Sequence, residues 1–292
     1  MAFDGNDRLP RPPQLNIVLP KLQDIGEELQ DWSSDEIQSQ LPTNILLITA
    51  NKHEFIACYK YMSPVKRSYL KTIGTVYFGQ FGEQKRVALI KCAQGPTNSA
   101  ITVKNAADIL NPQVVLFVGI CASMKPKAKL GDVLISAKLQ TYDDKKVRAD
   151  GKVEQRGVKP NVSRNMASLI LSAAEGWQAP LEDLDNLEVE VHCDATMLSG
   201  SELVNNRQRR DELGECFRDA LGLEMEGAGL YAAAHDLGTE WAVIKAVSDL
   251  ADGSKEMTND WQRFSSVMAA SVVYNMFKYT AVLKDWPHYN KH

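Results

Sequence analysis

The feature that most constrains the fold is the alternation of short, continuously apolar runs with segments of helical spacing. Residues 114–118 (Val-Val-Leu-Phe-Val) carry no polar side chain, which predicts a strand covered on both faces of a sheet. Residues 98–110 have helical spacing and stop before Asn111-Pro112, because the position before a proline disfavours helix. Strands that alternate with helices in this way predict a three-layer α/β fold.

The same patterns extend over most of the chain. The predicted strands are 45–48, 74–81, 86–91, 114–118, 132–139, 187–191, 221–225 and 241–247. The predicted helices are 98–110, 163–175, 203–216, 227–237 and 262–283. Gly238 follows one of these helices at the position where helix ends favour glycine.

The first 42 residues differ from the rest of the chain. They hold five of the 12 prolines and only a weakly amphipathic stretch near residues 22–29. This composition predicts a leader or linker over residues 1–42, partly disordered and with one short helix at most. The remaining pattern predicts one domain over residues 43–285.

Composition excludes several classes of partner. The 33 basic and 37 acidic residues give a net charge of −4, whereas proteins that bind phosphate backbones need a concentrated basic surplus. We therefore expect no nucleic acid partner. The longest apolar stretch, residues 114–122, is too short to span a bilayer, so no membrane partner is expected either. Five scattered cysteines without a CxxC spacing indicate reduced thiols in a cytoplasmic protein.

Several familiar catalytic motifs are missing from the sequence. It contains no GxxxxGK[ST], GxGxxG, GxSxG or HExxH pattern, and its five histidines are dispersed. Phosphate-loop, dinucleotide-binding, serine hydrolase and zinc protease chemistry therefore lack their best evidence. We expect neither a metal nor a cofactor.

Acidic residues stand at the ends of two predicted strands. Glu224, Met225 and Glu226 end one strand, and Ser248 and Asp249 end another. Ligands of open α/β sheets bind at the carboxyl ends of strands, which makes these residues candidates for a site. Each also has a structural explanation, since Glu226 would complement a helix N-terminus and Ser248 or Asp249 would cap a turn. The residues alone leave both interpretations open.

A third polar segment, Lys52-His53-Glu54, directly follows the first strand of the predicted domain. A solvated helix start with an acid in its first turn accounts for it as well as a functional role does. The segment becomes a candidate for a functional role because of its position along the chain, ahead of the two strand ends.

Taken together, these segments resemble the nucleoside phosphorylase and nucleosidase superfamily, which includes the 5′-methylthioadenosine/S-adenosylhomocysteine nucleosidases. The likeness covers residues 44–283. Its most specific parts are Leu-Glu-Met-Glu-Gly at 223–227, Val-Ser-Asp at 247–249, Val-Gly-Ile-Cys-Ala at 118–122 and Leu-Gly-Asp-Val-Leu-Ile-Ser at 130–136.

The resemblance implies a mixed, twisted central sheet flanked by helices, a small-molecule purine nucleoside or nucleotide as ligand, and a homo-oligomer, either a dimer or a hexamer. It also places Glu224 and Gly119 among the residues that bind substrate.

The resemblance assigns roles to the strand-end residues. Asp249 would protonate the purine at N7, which requires a pKa raised by burial. Glu226 would bind the ribose hydroxyls and stabilise the oxocarbenium ion, as paired carboxylates do in glycosidases. Met225 would pack on the ribose, Ser248 would orient Asp249, and Glu54 would activate water as a general base.

The same resemblance separates hydrolysis from phosphorolysis. Phosphorylases of this superfamily bind phosphate through arginines and a hydroxyl residue, and Phe117, Ile120 and the 52–54 segment stand at those places here. A phosphate dianion would meet no guanidinium and a nearby carboxylate. The sequence therefore predicts a hydrolase that cleaves an N-glycosidic bond.

Loop segments favour one substrate. Residues 200–205, 209–213, 252–255 and 261–262 resemble the nucleosidase domains of immune effectors, some of which cleave ATP to adenine and ribose 5′-triphosphate. A triphosphate needs cationic partners, for which Lys52, His53 and Lys255 are the candidates.

Three alternatives stay open at this stage. One is a methylthioadenosine/S-adenosylhomocysteine nucleosidase. Another is a phosphorylase with a basic site built from Arg207, Arg209 or Arg210. The third is a catalytically inactive module that senses a nucleoside.

Overall fold

The computed structural model describes residues 10–26 and 28–290. The strands are β1 (Leu29–Gln30), β2 (Ile45–Thr49), β3 (Lys66–Leu70), β4 (Gly74–Phe81), β5 (Lys85–Lys91), β6 (Val114–Ser123), β7 (Val133–Thr141), β8 (Lys145–Val147), β9 (Val153–Gln155), β10 (Val191–Ser199), β11 (Ala220–Glu224) and β12 (Glu240–Asp249). The helices are α1 (Asp35–Gln38), α2 (Lys52–Lys60), α3 (Pro96–Leu110), α4 (Arg164–Leu171), α5 (Arg207–Cys216), α6 (Gly227–Leu237) and α7 (Asn259–Phe277). Short 3-10 helices cover Leu22–Asp24 and Lys255–Thr258.

The central sheet is mixed, as predicted. Its strand order is β1-β3-β4-β5-β2-β6-β11-β10-β7-β12, and β6 also pairs with β12. Strand β6 runs parallel to β2 and β12 but antiparallel to β11. Because β6 pairs with both β11 and β12, the strands β6, β11, β10, β7 and β12 close into a ring at one end of the sheet. This ring brings the ends of β6, β11 and β12 together.

Helices cover the sheet in two pairs. Helix α3 packs on α6, while α7 packs on α2 and along β6 and β12. The strand β6 has nine of its ten residues buried, which explains its apolar sequence, since side chains of both faces meet covering elements. The predicted α/β fold with a mixed central sheet flanked by helices is therefore confirmed.

Most predicted elements match observed ones, and one does not. The strand predicted at 187–191 is wrong, because residues 187–190 have no regular structure and the strand lies at Val191–Ser199. Apolar and polar residues alternate strictly over residues 191–197, which is a strand pattern, so the signal was present and the prediction placed the strand too early. Strand β3 and the β8–β9 hairpin were also not predicted. The helix predicted at 203–216 begins only at Arg207, where the Asn206 side chain caps it.

The described part of the first 42 residues lies against the domain. Leu19, Ile25 and Ile37 are buried in the main core, β1 pairs with β3, and the indole N–H of Trp261 donates to the Pro10 carbonyl at 2.9 Å. The weak helical pattern near residues 22–29 corresponds to the short 3-10 helix. Residues 1–9 and 27 of the predicted leader lie outside the described residues, and the domain limits at 42/43 and 285 stay predictions.

All five cysteines are free. Cys58 and Cys121 are buried, whereas Cys216 is exposed, so the thiols are not all in the core. Among the described helices, none is long and apolar enough to cross a membrane.

Candidate active site

One cavity lies where β2, β6, β11 and β12 end. The predicted site residues that line it are Glu54, Glu224, Met225, Glu226, Ser248, Asp249 and Lys255. These residues come from four separate parts of the chain. The fold therefore brings the acids of both strand ends and the acid of the 52–54 segment to one place.

Glu54 is held by backbone donors on two sides. It is the third residue of α2 and forms a capping box with Asn51, so its Oε2 accepts the N–H groups of Ala50 and Asn51 at 2.7 and 3.0 Å. Its Oε1 accepts the N–H of Ile120 at 2.9 Å. A side chain at Gly119 would overlap the Glu54 carboxylate, which explains why the end of β6 carries glycine there. Gly119 therefore makes room for Glu54.

Glu224 and Glu226 have different partners although they stand two residues apart. The Glu224 carboxylate accepts the N–H groups of Glu226 and Gly227 at 2.9 Å, so Glu224 caps the start of α6. Glu226 makes no side-chain cap bond. Its Oε2 instead accepts a hydrogen bond from Lys245 Nζ at 2.9 Å. Glu224 thus takes the structural role that the sequence had left open for Glu226.

Lys245 is a buried residue in contact with the acids of the cavity that the sequence analysis missed. Its side chain is 1% exposed, its Nζ lies 3.9 Å from Glu54 Oε1, and it sits 4.5 Å above the Phe117 ring. Burial alone would lower the pKa of Lys245, but the carboxylates of Glu226, Glu54 and Glu224 raise it above its ordinary value. A buried ammonium ion therefore links the two acids. The sequence feature that could have revealed this residue is that Lys245 is the one charged residue inside the apolar run 241–247.

Asp249 has a contrasting environment. It is 8% exposed, and its Oδ1 accepts the N–H of Ala251 at 3.1 Å. The Ser248 hydroxyl lies 3.4 Å from its Oδ2. Burial raises the pKa of Asp249, while the Ala251 hydrogen bond and the charge of Lys255 partly oppose that rise. The carboxyl group is thus suited to keep a proton at higher pH than an exposed aspartate does.

The three cations predicted for a triphosphate are not together. Lys255 lines the cavity, and its charge acts on Asp249. Lys52 and His53 belong to the first turn of α2 but do not line the cavity. Burial, together with the charges of Lys52 and Arg263, lowers the pKa of His53, which favours its neutral form. Only Lys255 of this set therefore faces the cavity.

A second cluster lies outside the cavity. Asp132, Glu190 and His192 are close enough to hold a metal ion. However, the Asp132 carboxylate already accepts the N–H groups of Lys129 and Glu190 at 2.8 and 2.9 Å, and His192 Nε2 lies 3.3 Å from it. These hydrogen bonds give the cluster a structural role, since they join the start of β7 to the start of β10.

The family model of the phosphorylase superfamily matches residues 44–274, and the chain therefore belongs to this superfamily. The resemblance inferred from the sequence is confirmed.

Two curated relatives are similar over most of this chain. A death domain-containing ATP nucleosidase from Amphimedon queenslandica is 30% identical over 263 residues, which cover 82% of this chain and 49% of that protein. The chain thus spans about half the length of this relative. A 5′-methylthioadenosine/S-adenosylhomocysteine nucleosidase from Marinomonas sp. (strain MWYL1) is 26% identical, with 76% of this chain and 92% of that protein covered. Both are nucleosidases, which confirms the predicted enzyme class, an N-glycosyl hydrolase.

Solved structures share the fold. A 5′-methylthioadenosine/S-adenosylhomocysteine nucleosidase from Neisseria meningitidis, in complex with methylthio-immucillin-A, has a TM-score of 0.68 at 22% identity and covers 81% of this chain and 99% of its own. The futalosine hydrolase of Helicobacter pylori has a TM-score of 0.66 at 20% identity, with 81% and 97% covered.

Proposed function

We propose that this protein hydrolyses the N-glycosidic bond of an adenine nucleoside or nucleotide, and that its substrate is ATP, which gives adenine and ribose 5′-triphosphate. One observation carries the proposal: Asp249, whose pKa burial raises, shares a cavity with Glu226 and Glu54, which a buried lysine joins. Cleavage of this bond needs an acid for the leaving base and negative charge beside the sugar.

In the proposed reaction Asp249 donates its proton to purine N7 as the bond to C1′ lengthens. Burial raises the pKa of Asp249, which favours the protonated carboxyl group that a general acid needs. Ser248 is placed to orient this carboxyl group. The base then leaves as a neutral purine rather than as an anion, which lowers the barrier.

The sugar becomes an oxocarbenium ion, and Glu226 stabilises it while binding the ribose hydroxyls. Lys245 holds the Glu226 carboxylate in place through its 2.9 Å hydrogen bond. Glu54 takes a proton from the attacking water. Burial raises the pKa of Glu54, whereas Lys245 opposes that rise, so the ammonium ion helps to keep the base ionised. Met225 is placed beside Glu226 to pack on the ribose.

The protein partners of three arginines favour hydrolysis over phosphorolysis. Arg209 contacts both Glu202 oxygens at 2.7 Å, and Arg210 is bonded to Asp211 and to the Leu250 carbonyl. Arg207 lies 3.8 Å from Asp211. Each of the arginines that an alternative phosphate site would need already has a protein partner.

The relatives support two substrates. The ATP nucleosidase relative has the higher identity of the two curated relatives described above, and we propose ATP on that ground. Cleavage of methylthioadenosine or S-adenosylhomocysteine is the second candidate, because the second relative bears that name. A homo-oligomeric, cytoplasmic protein with the domain at residues 43–285 is part of the same proposal.

The test is a substrate panel. The purified protein is incubated with ATP, AMP, adenosine and methylthioadenosine, with and without phosphate, and free adenine is measured by chromatography. We expect adenine release without phosphate and the highest kcat/KM with ATP. Release that requires phosphate would instead indicate a phosphorylase. A preference for methylthioadenosine would replace ATP as the substrate, and no release from any compound would favour the inactive sensing module.

A further inference from the structure

The cavity has two ends of unlike chemistry. At the Asp249 end the walls include Ala122, Val204 and Leu223, which belong to a small apolar cluster. Away from this cluster, Asn51 and Gln94 line the cavity beside Glu54 and Glu226. An apolar end suits the faces of a purine, whereas an amide-lined end suits a polar group.

Contacts with the two acids place Asn51 and Gln94 at the ribose end. Asn51 directly precedes α2 and accepts the N–H of Glu54 through its side chain at 3.1 Å. Gln94 precedes Gly95, whose N–H lies 3.4 Å from Glu226 Oε1. With the base at Asp249 and the ribose at Glu226, both amides lie beside the ribose rather than beside the base, within the part of the cavity left for its 5′ substituent.

The orientation of the Asn51 amide is fixed by the helix that it caps. Its Oδ1 accepts the N–H groups of His53 and Glu54 at 2.9 and 3.1 Å. A backbone N–H donates only to an oxygen, so the assignment of oxygen and nitrogen in this amide is settled by its partners. The amide therefore turns its NH₂ donors, and no acceptor, away from the helix.

The backbone of the Gln94 segment is held in a similar way. The Gln94 carbonyl accepts the side-chain N–H of Asn98 at 2.8 Å, and Gly95 is bonded to Glu226. The Gln94 side chain is exposed at the cavity on this fixed backbone. It adds a second neutral donor to that of Asn51.

We infer that Asn51 and Gln94 form a donor subsite for phosphate oxygens at the 5′ end of the substrate, and that this subsite selects a phosphorylated adenosine over a thioether. The inference rests on the proposed function. Phosphate oxygens are strong acceptors, whereas a thioether sulfur is a weak one and would leave the amide donors unpaired. Neutral donors also avoid a second cation beside the buried Lys245.

Two variants test the inference. Asn51→Asp keeps the oxygen that caps α2, since aspartate and asparagine cap helices about equally well, but it replaces the NH₂ donors by a negative charge. Gln94→Glu makes the same change at the exposed position. Asn186→Asp adds an equal charge at an exposed residue outside the cavity and serves as the matched control. The readout is the ratio of kcat/KM for ATP to that for methylthioadenosine.

We expect this ratio to fall at least tenfold in Asn51→Asp and Gln94→Glu and to stay within twofold of wild type in Asn186→Asp. The ratio cancels any general effect of a new carboxylate near Glu54, because both substrates share the reacting bond. Should Asn51→Asp not fold, Gln94→Glu decides. A ratio within twofold of wild type in the folded variants would overturn the inference alone, whereas absence of adenine release by the wild type would overturn the proposed function with it.

Discussion

Asp249 and Glu226 are carboxylic acids of one cavity, both at least nine-tenths buried, and they differ in what faces them. Glu226 is bonded to the ammonium group of Lys245 at 2.9 Å. Asp249 has a backbone N–H at 3.1 Å and a hydroxyl at 3.4 Å as its hydrogen-bond partners among the described residues. A buried cation favours the ionised carboxylate, whereas burial without a bonded cation favours the protonated acid.

The comparison teaches that the partner, rather than the residue type, divides the chemical roles. Two acids in one small cavity repel each other when both are ionised, so a site needs one that keeps a proton and one that keeps its charge. Lys245 is bonded to the Glu226 carboxylate, whereas burial raises the pKa of Asp249. The predictions below remove each part of that arrangement in turn.

The largest effect is expected when Asp249 is replaced by a residue that cannot donate a proton. Asn in place of Asp249 has the same shape but cannot deliver a proton to the purine, so we expect kcat to fall by about 10²–10⁴-fold with little change in the melting temperature. Asp236→Asn, a surface change that breaks only an exposed ion pair with Lys104, is the control. More than a tenth of wild-type kcat in Asp249→Asn would remove Asp249 from the role of acid.

The second largest effect is expected when the ammonium group of Lys245, which is bonded to Glu226, is removed. Lys245→Met leaves Glu226 and Glu54 buried without their counter-ion, and breaking a buried pair in this way costs about 3–5 kcal/mol. Denaturant unfolding measures the change. Lys85→Met is a matched control, because Lys85 is also buried but its Nζ is bonded to the Thr280 carbonyl, so its loss leaves no carboxylate unpaired. Equal costs for the two variants would show that the charge pairing of Lys245 adds nothing.

A smaller effect separates the two acids that share Lys245. In an Asp249→Asn background, which prevents turnover, Glu226→Gln should weaken ATP binding roughly tenfold, because a hydrogen bond from a ribose hydroxyl to a charged acceptor is lost. Glu54→Gln should leave ATP affinity nearly unchanged, since Glu54 acts on water. Calorimetric titration of both double variants distinguishes the roles. Equal loss of affinity in both would contradict this division.

The smallest effect is expected when the charge of Lys255, which acts on Asp249, is removed. Asp249 is active when protonated, so activity is lost as the pH rises through its pKa. The charge of Lys255 lowers that pKa, and Lys255→Met should therefore move the loss of kcat/KM to higher pH. A tenfold loss of kcat/KM with ATP and an unmoved pH profile would instead assign Lys255 to the triphosphate.

Most strands and helices could be predicted because the burial of an element requires apolar residues at a characteristic spacing in the local sequence. Strands β2, β4, β6 and β12 and helices α3 and α6 were found from runs and spacing that neighbouring residues alone define. Strand β10 was not, although apolar and polar residues alternate over 191–197, because the prediction relied on the apolar residues just before it. The short strand β3 and the β8–β9 hairpin lack a strong apolar run and left no usable signal.

The acids of the cavity were also visible in the sequence, because each follows an apolar strand, and strand ends are where α/β folds bind ligands. What these acids do was decided by the tertiary structure. Only the turn into α6 shows that Glu224 caps the helix and leaves Glu226 for another partner. Only the pairing of β12 with β6 brings Lys245 beside Glu54, which stands nearly two hundred residues earlier in the chain. The sequence by itself indicated which acids reach the cavity, since each stands at a strand end or a helix start, whereas the partner of each acid depends on long-range packing, which alone brings Lys245 to Glu226 and Glu54.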